Sequence, residues 1–510
     1  MEKRTFLAII LSITILVLWQ WFYGPKPSKP RVDSVPTITE KGPIIKGKEQ
    51  IRKGFVTEKA IPVSKEFVET INIETSKMSY VLSEDEASIV HCYLKENALN
   101  EKTTVDLVLG GKLLNDYGSN GWAYVKTKDQ QYQAKFVKTL DNFNIEKTFY
   151  FDNNAYLIDV EYILKNKTSS NKVFEGLMLS IGPGLGTDAK EMKENKGLLR
   201  AISYSEKKVE KLKVGNYLFP QKWVGIDNRY FLSVFFKTGD GFNNIKVEQE
   251  EKIPEMKIYT DKINFLPNEK KNLKIHAYVG PKGYTHLKLI KVDGTNVQLQ
   301  KAVDFGFFGD LGELALSALN YLYKITGNYG WAIVIISVIL NIVFFPLSKK
   351  SFQSANAMKA IQEDVKIIQA KYKSDPKKMN TEVWALYKSK GVNPFSGCLP
   401  MLVQLPIFWA LFTMLRNAYE LRGAHFMFWV TDLSAKDPYY VLPIIMGAGM
   451  FLQQKMTTSA SDPTQKQMMI LMPVIFTIMF LGFPSGLVIY WLTNNILTVL
   501  IQWLVLKKSK

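Results

Sequence analysis

The chain has 510 residues and a formal net charge of +18, and its mean hydropathy is −0.05. This length allows several folding units. The excess of lysine does not indicate a nucleic-acid substrate, because the lysines either scatter through a polar half of the chain or lie beside apolar runs, where topology and anionic headgroups account for them. Cys92 and Cys398 lack metal-site spacing and fall in different predicted compartments, so we expect no metal, no cofactor and no intrachain disulfide.

The N-terminal segment combines a basic start with an apolar stretch. Lys3 and Arg4 precede the apolar run, which ends in an aromatic cluster from Trp19 to Tyr23 without a small-x-small cleavage site. Aromatic side chains of this kind lie at the headgroup level of a membrane. We therefore predict an uncleaved transmembrane anchor over residues 1–23, and a cleaved signal peptide is the alternative.

Two different compositions follow the anchor. Residues 24–54 contain five prolines and few large apolar side chains, which predicts a disordered linker. Beyond it, short alternating runs surround turn residues such as Asp152-Asn153-Asn154, as in a β-hairpin. We predict an antiparallel β-sandwich over residues 55–305. It carries no recognisable catalytic motif, so a binding or scaffolding role is favoured.

Residues 306–327 show an apolar stripe at helical spacing. The stripe consists of Leu311, Leu314, Ala315, Ala318, Leu319 and Leu322. A helix of this kind is typical of the membrane interface. We therefore predict an interfacial amphipathic helix, and a soluble helix packed on the sandwich is the alternative.

Further apolar runs are long enough to cross a hydrocarbon core about 30 Å thick. They lie at about 329–347, 398–415, 438–453, 467–483 and 486–505. The segment 348–395 between the first two carries ten lysines against four acidic residues, so it should face the cytoplasm. With a basic tail at 507–510, both termini are predicted to be cytoplasmic, and residues 24–327 are predicted to lie on the other side of the membrane.

A cytoplasmic helical hairpin is predicted over residues 352–392. Apolar residues recur at three- and four-residue steps from Met358 to Tyr372, and again from Met379 to Leu386. Between them, Ser374-Asp375-Pro376 interrupts the pattern. Two antiparallel helices joined by a tight turn explain this arrangement.

The apolar runs contain no Asp, Glu, His, Lys or Arg. Proton relays, ion-coupled transporters and intramembrane proteases need ionisable groups at depth, so these classes are disfavoured. The polar residues that remain are uncharged, such as Ser337, Asn341 and Gln404. They are explained either by hydrogen bonds between helices or by a hydrated recess, because an amide in hydrocarbon is costly unless paired or hydrated.

Three stretches resemble the YidC family of membrane protein insertases, in its Gram-negative form with a large periplasmic domain. They are "GWAIVIISVILNIVFFPLSKKSFQSANAMK" (330–359), "NPFSGCLPMLVQLPIFWALF" (393–412) and "FPSGLVIYW" (483–491). The resemblance implies a polytopic α-helical membrane protein with six transmembrane helices, five of them forming a conserved core over 328–506, and an extracytoplasmic antiparallel β-sandwich. It also implies an inner-membrane insertase and chaperone that passes newly made hydrophobic segments into lipid without hydrolysing a nucleotide, and so not an enzyme.

The family typically carries an arginine five residues before the proline of the first core span. In this chain the corresponding residue before Pro346 is Asn341. The resemblance implies a hydrophilic substrate groove formed by Ser337, Asn341, Gln404, Tyr490, Trp491 and Asn495. Candidates for a compensating charge are Lys349, Lys350 and Lys359. Because a carboxamide can hydrate and hydrogen-bond but carries no charge, we predict a weaker preference for acidic substrate tails.

The implied partners are nascent membrane proteins, the Sec translocon and membrane lipids. The ribosome is a candidate partner for the cytoplasmic hairpin and the tail. Nucleic acid is not expected as a substrate.

Two alternative functions stay open. A transporter or channel would need an internal repeat or an ionisable midplane site. A structural assembly factor would pack against partner subunits without a groove.

Overall fold

The structure, a computed structural model, describes residues 70–508 with internal gaps. The gaps are residues 96–104, 117–119, 127–130, 188–190, 193–197, 206–207, 221, 238, 240, 393–398 and 458–462. The predicted anchor at 1–23 and the predicted linker at 24–54 lie outside the described residues. Strands and helices are numbered separately along the chain.

The first β-sheet has nine strands among the described residues, all in antiparallel pairs. These strands are β1 (Thr70–Glu74), β2 (Met78–Ser83), β3 (Ser88–Leu94), β4 (Val105–Asp106), β5 (Lys112–Asn115), β11 (Met178–Gly182), β14 (Gly215–Leu218), β17 (Phe242–Glu250) and β18 (Ile253–Thr260). Their order across the sheet is β1-β2-β3-β5-β11-β18-β17-β14, with β4 beside β3.

The second sheet also has nine antiparallel strands within the described residues. These strands are β6 (Ala123–Val125), β7 (Gln133–Thr139), β8 (Phe143–Phe151), β9 (Leu157–Asn166), β12 (Arg200–Tyr204), β13 (Val209–Leu212), β15 (Trp223–Asp227), β16 (Phe231–Phe236) and β20 (Lys270–Pro281). Their order is β13-β12-β15-β16-β20-β9-β8-β7-β6. The remaining strands pair as two short ribbons, which are β10 (Lys172–Phe174) with β19 (Ile263–Phe265) and β21 (Lys291–Val292) with β22 (Thr295–Asn296).

The alternating sequence pattern explains these strands. Along β9, "LIDVEYILKN", buried residues alternate with partly exposed ones, because successive side chains of a strand point to opposite faces. The predicted hairpin around residues 152–154 is confirmed: β8 and β9 pair antiparallel, with Phe151 opposite Ile158. Strands β15 and β16 are buried at every residue, because both faces of this central part of the sheet are covered.

A buried lysine links the two sheets. The side chain of Lys147 on β8 is 0% exposed. Its ammonium group donates to the carbonyls of Ala87 and Leu114 at 2.8 Å and to Asp116 at 3.0 Å, and Tyr162 donates to the same carboxylate. Because every donor of the ammonium group has an acceptor, this charge is compensated inside the sandwich.

The remainder of the described chain is mainly helical. The helices are α1 (Tyr284–Leu287), α2 (Gly309–Thr326), α3 (Tyr329–Ala360), α4 (Gln362–Lys371), α5 (Pro376–Ser389), α6 (Leu399–Asn417), α7 (Val441–Thr457), α8 (Pro463–Phe480) and α9 (Ser485–Lys508), with 3₁₀ turns at Leu299–Ala302 and Tyr419–Leu421. Within the described residues, α3 and residues 485–504 of α9 are long and apolar enough to cross a membrane, and α8 has a shorter apolar part at 470–480. The count of six spans stays a prediction.

Helix α2 occupies the segment predicted as an amphipathic helix. It packs against α3 and α6, with Leu316 and Leu319 fully buried, whereas Leu314, Tyr321 and Ile325 are exposed. Gly327 ends the helix in a left-handed conformation, with φ of 65°, which glycine adopts without steric penalty. The position of α2 at the membrane surface stays a prediction.

The boundary of the predicted cytoplasmic hairpin differs in the structure. Helix α3 continues through Pro346 to Ala360, so residues 352–360 extend the long helix and the hairpin proper is formed by α4 and α5. Asp375 caps α5 by accepting a hydrogen bond from the backbone of Lys378 at 3.0 Å, and proline follows at the first helical position, where its missing N–H is harmless. The helical periodicity of residues 358–361 fits both arrangements, which explains the shifted boundary.

Candidate functional site

A cavity of about 510 Å³ lies between α3, α6, α7, α8 and α9. Its apolar wall includes Leu340, Phe344, Leu347, Phe352, Leu405, Ile407, Met450, Met472 and Phe476. Its polar wall consists of Asn341, Ser348, Ser351, Gln404, Gln453, Gln454, Tyr490, Trp491, Asn494, Asn495 and Thr498. Each helix contributes one face to the cavity, because residues three and four apart lie on the same side of a helix.

The predicted groove residues fall into two groups. Five of the six, all except Ser337, line the cavity. Ser337 is fully buried, and its hydroxyl donates to the backbone carbonyl of Ile333 at 2.8 Å. Its own backbone carbonyl accepts a hydrogen bond from Asn341 at 2.8 Å, so Ser337 contributes to the site by orienting Asn341.

Asn341 joins α3 to α9. Its side-chain amino group donates to the Ser337 carbonyl, as above, and to Oδ1 of Asn494 on α9. Asn341 is half-buried and lines the cavity. Hydrogen bonding between helices and a place in a polar recess are therefore compatible roles, because the carboxamide of Asn341 connects α3 to α9 and also lines the cavity.

Two N–H groups of the cavity wall make no well-aligned hydrogen bond with the described residues. They are Nδ2 of Asn494 and Nε1 of Trp491, and both atoms are buried. Buried polar groups are almost always hydrogen-bonded, so each such exception calls for water or a ligand. A cavity with this wall is suited to hold polar groups within a largely apolar surround.

Trp491 also belongs to an aromatic cluster at the edge of the cavity. Its ring centroid lies 5.0 Å from Phe408 on α6, 6.1 Å from Phe476 and 5.4 Å from Phe480 on α8. Edge-to-face, stacked and tilted contacts of this kind fix the rings. Asn495, four residues further along α9, donates to the carbonyl of Met446 on α7 at 3.5 Å. Helix α9 is thus the common support of the site.

No Asp, Glu, His, Lys or Arg of the described residues lines the cavity. The candidates for a compensating charge lie elsewhere: Lys349 and Lys350 are exposed, and Lys359 donates to the carbonyl of Met456 at 2.6 Å, near the end of α7. A cation at a helix C-terminus is favoured by the carbonyls left free there. The site is therefore polar and uncharged.

Ser351 and Gln453 were not predicted from the sequence as wall residues. Asn494 and Thr498 are among the uncharged polar residues of the last apolar run, but they were not assigned to the groove. A signal for Asn494 and Thr498 was present, since Tyr490, Asn494 and Thr498 recur at four-residue intervals on α9. Gln453 carried no comparable signal, because its position depends on how α7 packs against α3 and α9.

The sandwich is joined to the outer end of α6, the helix that carries Gln404. Arg229, in the turn between β15 and β16, donates to the backbone carbonyl of Arg416. Thr413 donates to the carbonyl of Phe305 at 2.7 Å, and Asn417 to that of Asp304 at 2.8 Å. These bonds fix the last turn of α6 against the sandwich.

A buried ionic contact continues this joint beyond α6. The guanidinium of Arg422 pairs with Glu191 and lies 5.2 Å from the ring centroid of Phe231. Two residues away, burial raises the pKa of Glu420, and backbone N–H groups near its carboxylate, first its own, offset part of this rise. The joint therefore contains both a paired charge and an acid that resists ionisation.

Comparison with known proteins gives consistent matches along the chain. The family described as "60Kd inner membrane protein" matches residues 321–510, and the "YidC periplasmic domain" matches residues 70–314. The membrane protein insertase YidC of Endomicrobium trichonymphae is 37% identical, covering 100% of this chain and 99% of that protein. The corresponding protein of Geobacter metallireducens is 33% identical, covering 98% of each.

Among solved structures, a crystal structure of an active YidC insertase with its first transmembrane domain resolved is similar. It is 19% identical, covers 85% of this chain and 92% of that one, and superposes with a TM-score of 0.41.

Proposed function

Because the chain belongs to the YidC family of membrane protein insertases, we propose that its cavity receives the polar flank of a newly made hydrophobic segment while that segment passes into the inner membrane. The observation that supports this most is the uncharged polar wall around Asn341, between helices that include long apolar spans. A buried polar recess with unpaired donors is unfavourable without water or a ligand.

The energetics fit a mechanism without chemical fuel. Inserting about 20 apolar residues is downhill, at ~0.5 kcal/mol for each Leu or Ile near the bilayer centre. The barrier lies in moving the polar flank across hydrocarbon, where unsatisfied groups cost several kcal/mol each. A hydrated recess lowers this barrier and leaves the end state unchanged. The protein then accelerates insertion without making or breaking a covalent bond, and is not an enzyme in that sense.

The apolar segment of the substrate slides along α6 and α9 in this proposal. Val403 on α6 and Ile496 and Leu500 on α9 are exposed and do not line the cavity, so the outer faces of these helices offer apolar contact outside it. The polar flank contacts the cavity wall at the same time. The apolar segment thus stays in contact with apolar helix faces, while the polar flank stays in contact with polar groups of the cavity wall.

The proposal includes the layout and the partners. Six helices span the inner membrane with both termini in the cytoplasm, and the sandwich is periplasmic. The protein works alone or beside the Sec translocon, and the lysine-rich hairpin α4–α5 faces the cytoplasm, where the ribosome is a candidate partner. Ten lysines in the segment 348–395 support this orientation.

The test is insertion of a short-tailed single-span protein into liposomes that contain the full chain, without nucleotide. Asn341→Leu removes the amide from the cavity wall, and Ile342→Leu, at a neighbouring residue that is 67% exposed on α3, is the matched control. We expect reduced insertion for Asn341→Leu and normal insertion for the control. If both variants insert as well as the original protein, the cavity is not the path of the polar flank.

Two further measurements separate the alternatives. The thiol of Asn341→Cys reacts with a water-soluble thiol reagent if the cavity is hydrated, whereas a structural assembly factor without a groove protects it. A transporter or channel would instead conduct a solute across the same liposomes in the absence of any inserting protein.

A further inference from the structure

The orientation of the Asn494 carboxamide follows from a series of hydrogen bonds that joins the Ser337 carbonyl, the Asn341 side chain and the Asn494 side chain. The Ser337 backbone carbonyl can only accept a hydrogen bond, so the side chain of Asn341 must turn its amino group toward it. The same amino group then faces Asn494, which must offer its oxygen in return. The amino group of Asn494 is left on the far side, toward Tyr490. Asn494 is 7% exposed as a residue, and this amino group makes no well-aligned hydrogen bond with the described residues.

A second donor lies close along the same helix. The indole N–H of Trp491 is also buried without an acceptor in the described part of the chain, and both residues line the cavity. Trp491 is held by its ring contacts with Phe408 and Phe480, and Asn494 is held by Asn341. The two donors are therefore fixed before a ligand arrives, which lowers the entropy lost on binding.

We propose that Asn494 and Trp491 form a donor site that selects hydrogen-bond acceptor oxygens, carboxylate or carboxamide, in the polar flank of the substrate. This inference rests on the proposed function and names the chemical class that the cavity prefers. Neutral N–H donors bind an oxygen whether or not it is charged, although a charged acceptor is bound more strongly. An ammonium group has donors only, so a lysine in the flank leaves both N–H groups unpaired.

The site differs in kind from one built around a cation. A fixed positive charge acts over several ångströms and favours any acidic flank, whereas hydrogen bonds require an oxygen within about 3.2 Å and good alignment. The donor site therefore predicts that glutamate and glutamine flanks are both favoured over lysine, and that the difference depends little on salt because it does not rest on a charged group of the protein.

The experiment compares three substrates that are identical except for Glu, Gln or Lys at one position of a short polar flank. Each is inserted into liposomes containing the original chain, Asn494→Leu, Asn494→Asp or Thr493→Val. Thr493 is the matched control, because its hydroxyl donates to the Ile489 carbonyl of its own helix at 2.8 Å and it does not line the cavity. Initial insertion rates are measured without nucleotide, at low and high salt.

The expected results are specific to a donor role. The original chain and Thr493→Val insert the Glu and Gln substrates faster than the Lys substrate. Asn494→Leu slows the Glu and Gln substrates by roughly three- to tenfold and affects the Lys substrate much less. Asn494→Asp, which has nearly the same shape but replaces the donor by a carboxylate, reverses the order in favour of lysine.

Two results would overturn the inference, and they differ from a failure of the proposed function. If Asn494→Leu and Asn494→Asp insert all three substrates in the original order, the cavity holds water at these donors and no acceptor is selected. If both variants slow all three substrates equally, Asn494 has only a structural role. Should the original chain insert none of the substrates, the proposed function fails and the inference with it.

Discussion

Arg229 of the β-sandwich donates two hydrogen bonds, of 2.8 and 2.6 Å, to the backbone carbonyl of Arg416 in the last turn of α6. The final four carbonyls of a helix have no partner within the helix, and a guanidinium offers donors in a planar fork that can satisfy one of them. The periplasmic sandwich therefore completes the end of a helix whose other half contributes Gln404 to the cavity. This contact gives the sandwich a physical means of holding a wall of the site in place.

Arg229→Ala should loosen the outer end of α6. Hydrogen bonds to a charged group contribute about 1.5–3 kcal/mol, so amide hydrogen exchange at residues 413–417 should become faster by a factor of ten or more. Lys262→Ala, which breaks an ion pair with Glu175 whose side chains are 67% and 76% exposed, is the control and should change little. Unchanged amide exchange at residues 413–417 in Arg229→Ala would show that the other contacts with the sandwich are enough to hold the end of α6.

The buried acid Glu420 predicts a dependence of stability on pH. Because its pKa is raised in the folded protein, the folded state binds this proton more tightly than the unfolded chain. The contribution to stability is complete below the ordinary pKa of 4.5 and is lost as the pH rises through the raised value. Glu420→Gln should therefore raise the thermal midpoint at pH 7 and have little effect on it at pH 4.

A suitable control for Glu420 is Glu175→Gln on the surface of the sandwich, since its side chain is 76% exposed. Its thermal midpoint should follow that of the original chain at both pH values. An equal gain from Glu420→Gln at pH 4 and pH 7 would mean that the stabilisation comes from shape or hydrogen bonding, and not from the proton.

Asp116 compensates the buried charge of Lys147. Asp116→Ala leaves an ammonium group inside the sandwich with two backbone carbonyls only, and removal of one partner from a buried pair costs about 3–5 kcal/mol. The double variant Asp116→Leu/Lys147→Met removes both charges and should recover most of this loss. Thermal unfolding of the full chain, followed by near-ultraviolet circular dichroism, compares the stabilities of the original chain, Asp116→Ala and the double variant. A double variant that is less stable than Asp116→Ala would contradict the prediction.

Asn341→Arg should restore a charge to the cavity and alter substrate preference. The Oδ1 atom of Asn494, which now accepts from Asn341, can accept from a guanidinium as well. We expect the insertion rate of a substrate with an acidic flank to rise several-fold relative to one with a neutral flank, and this ratio to fall as salt is added. The comparison uses liposomes without nucleotide; a ratio equal to that of the original chain would argue against the predicted weaker acidic preference.

A variant of Lys359 tests whether this lysine stabilises the fold or compensates for the missing charge in the cavity. Its ammonium group binds the Met456 carbonyl near the end of α7. Lys359→Met removes this hydrogen bond and should lower the free energy of unfolding by about 1 kcal/mol, which lowers the thermal midpoint modestly. The ratio of insertion rates for acidic and neutral flanks should stay the same, because Lys359 does not line the cavity. A loss of acidic preference in Lys359→Met, with Lys350→Met unchanged, would instead assign it the compensating role.

Local patterns in the sequence determined much of the architecture. Alternation of apolar and polar residues predicted the β8–β9 hairpin, and helical spacing predicted α2, α4 and α5, because side chains on one face of a strand or helix share one environment. The absence of charge from the apolar runs indicated that any recess among them would be polar without being ionised. Asn341 was recognisable as the unusual residue of its span for the same reason.

Only the tertiary structure decided which polar groups meet. The contact of Asn341 with Asn494 spans 153 positions of the sequence, and that of Arg229 with Arg416 spans 187. Both depend on the rotation of one helix against its neighbours and on the docking of the sandwich, which no local period encodes. The donor that Asn494 leaves unpaired, and the end of α7 that Lys359 binds, likewise follow from packing between elements distant in the chain.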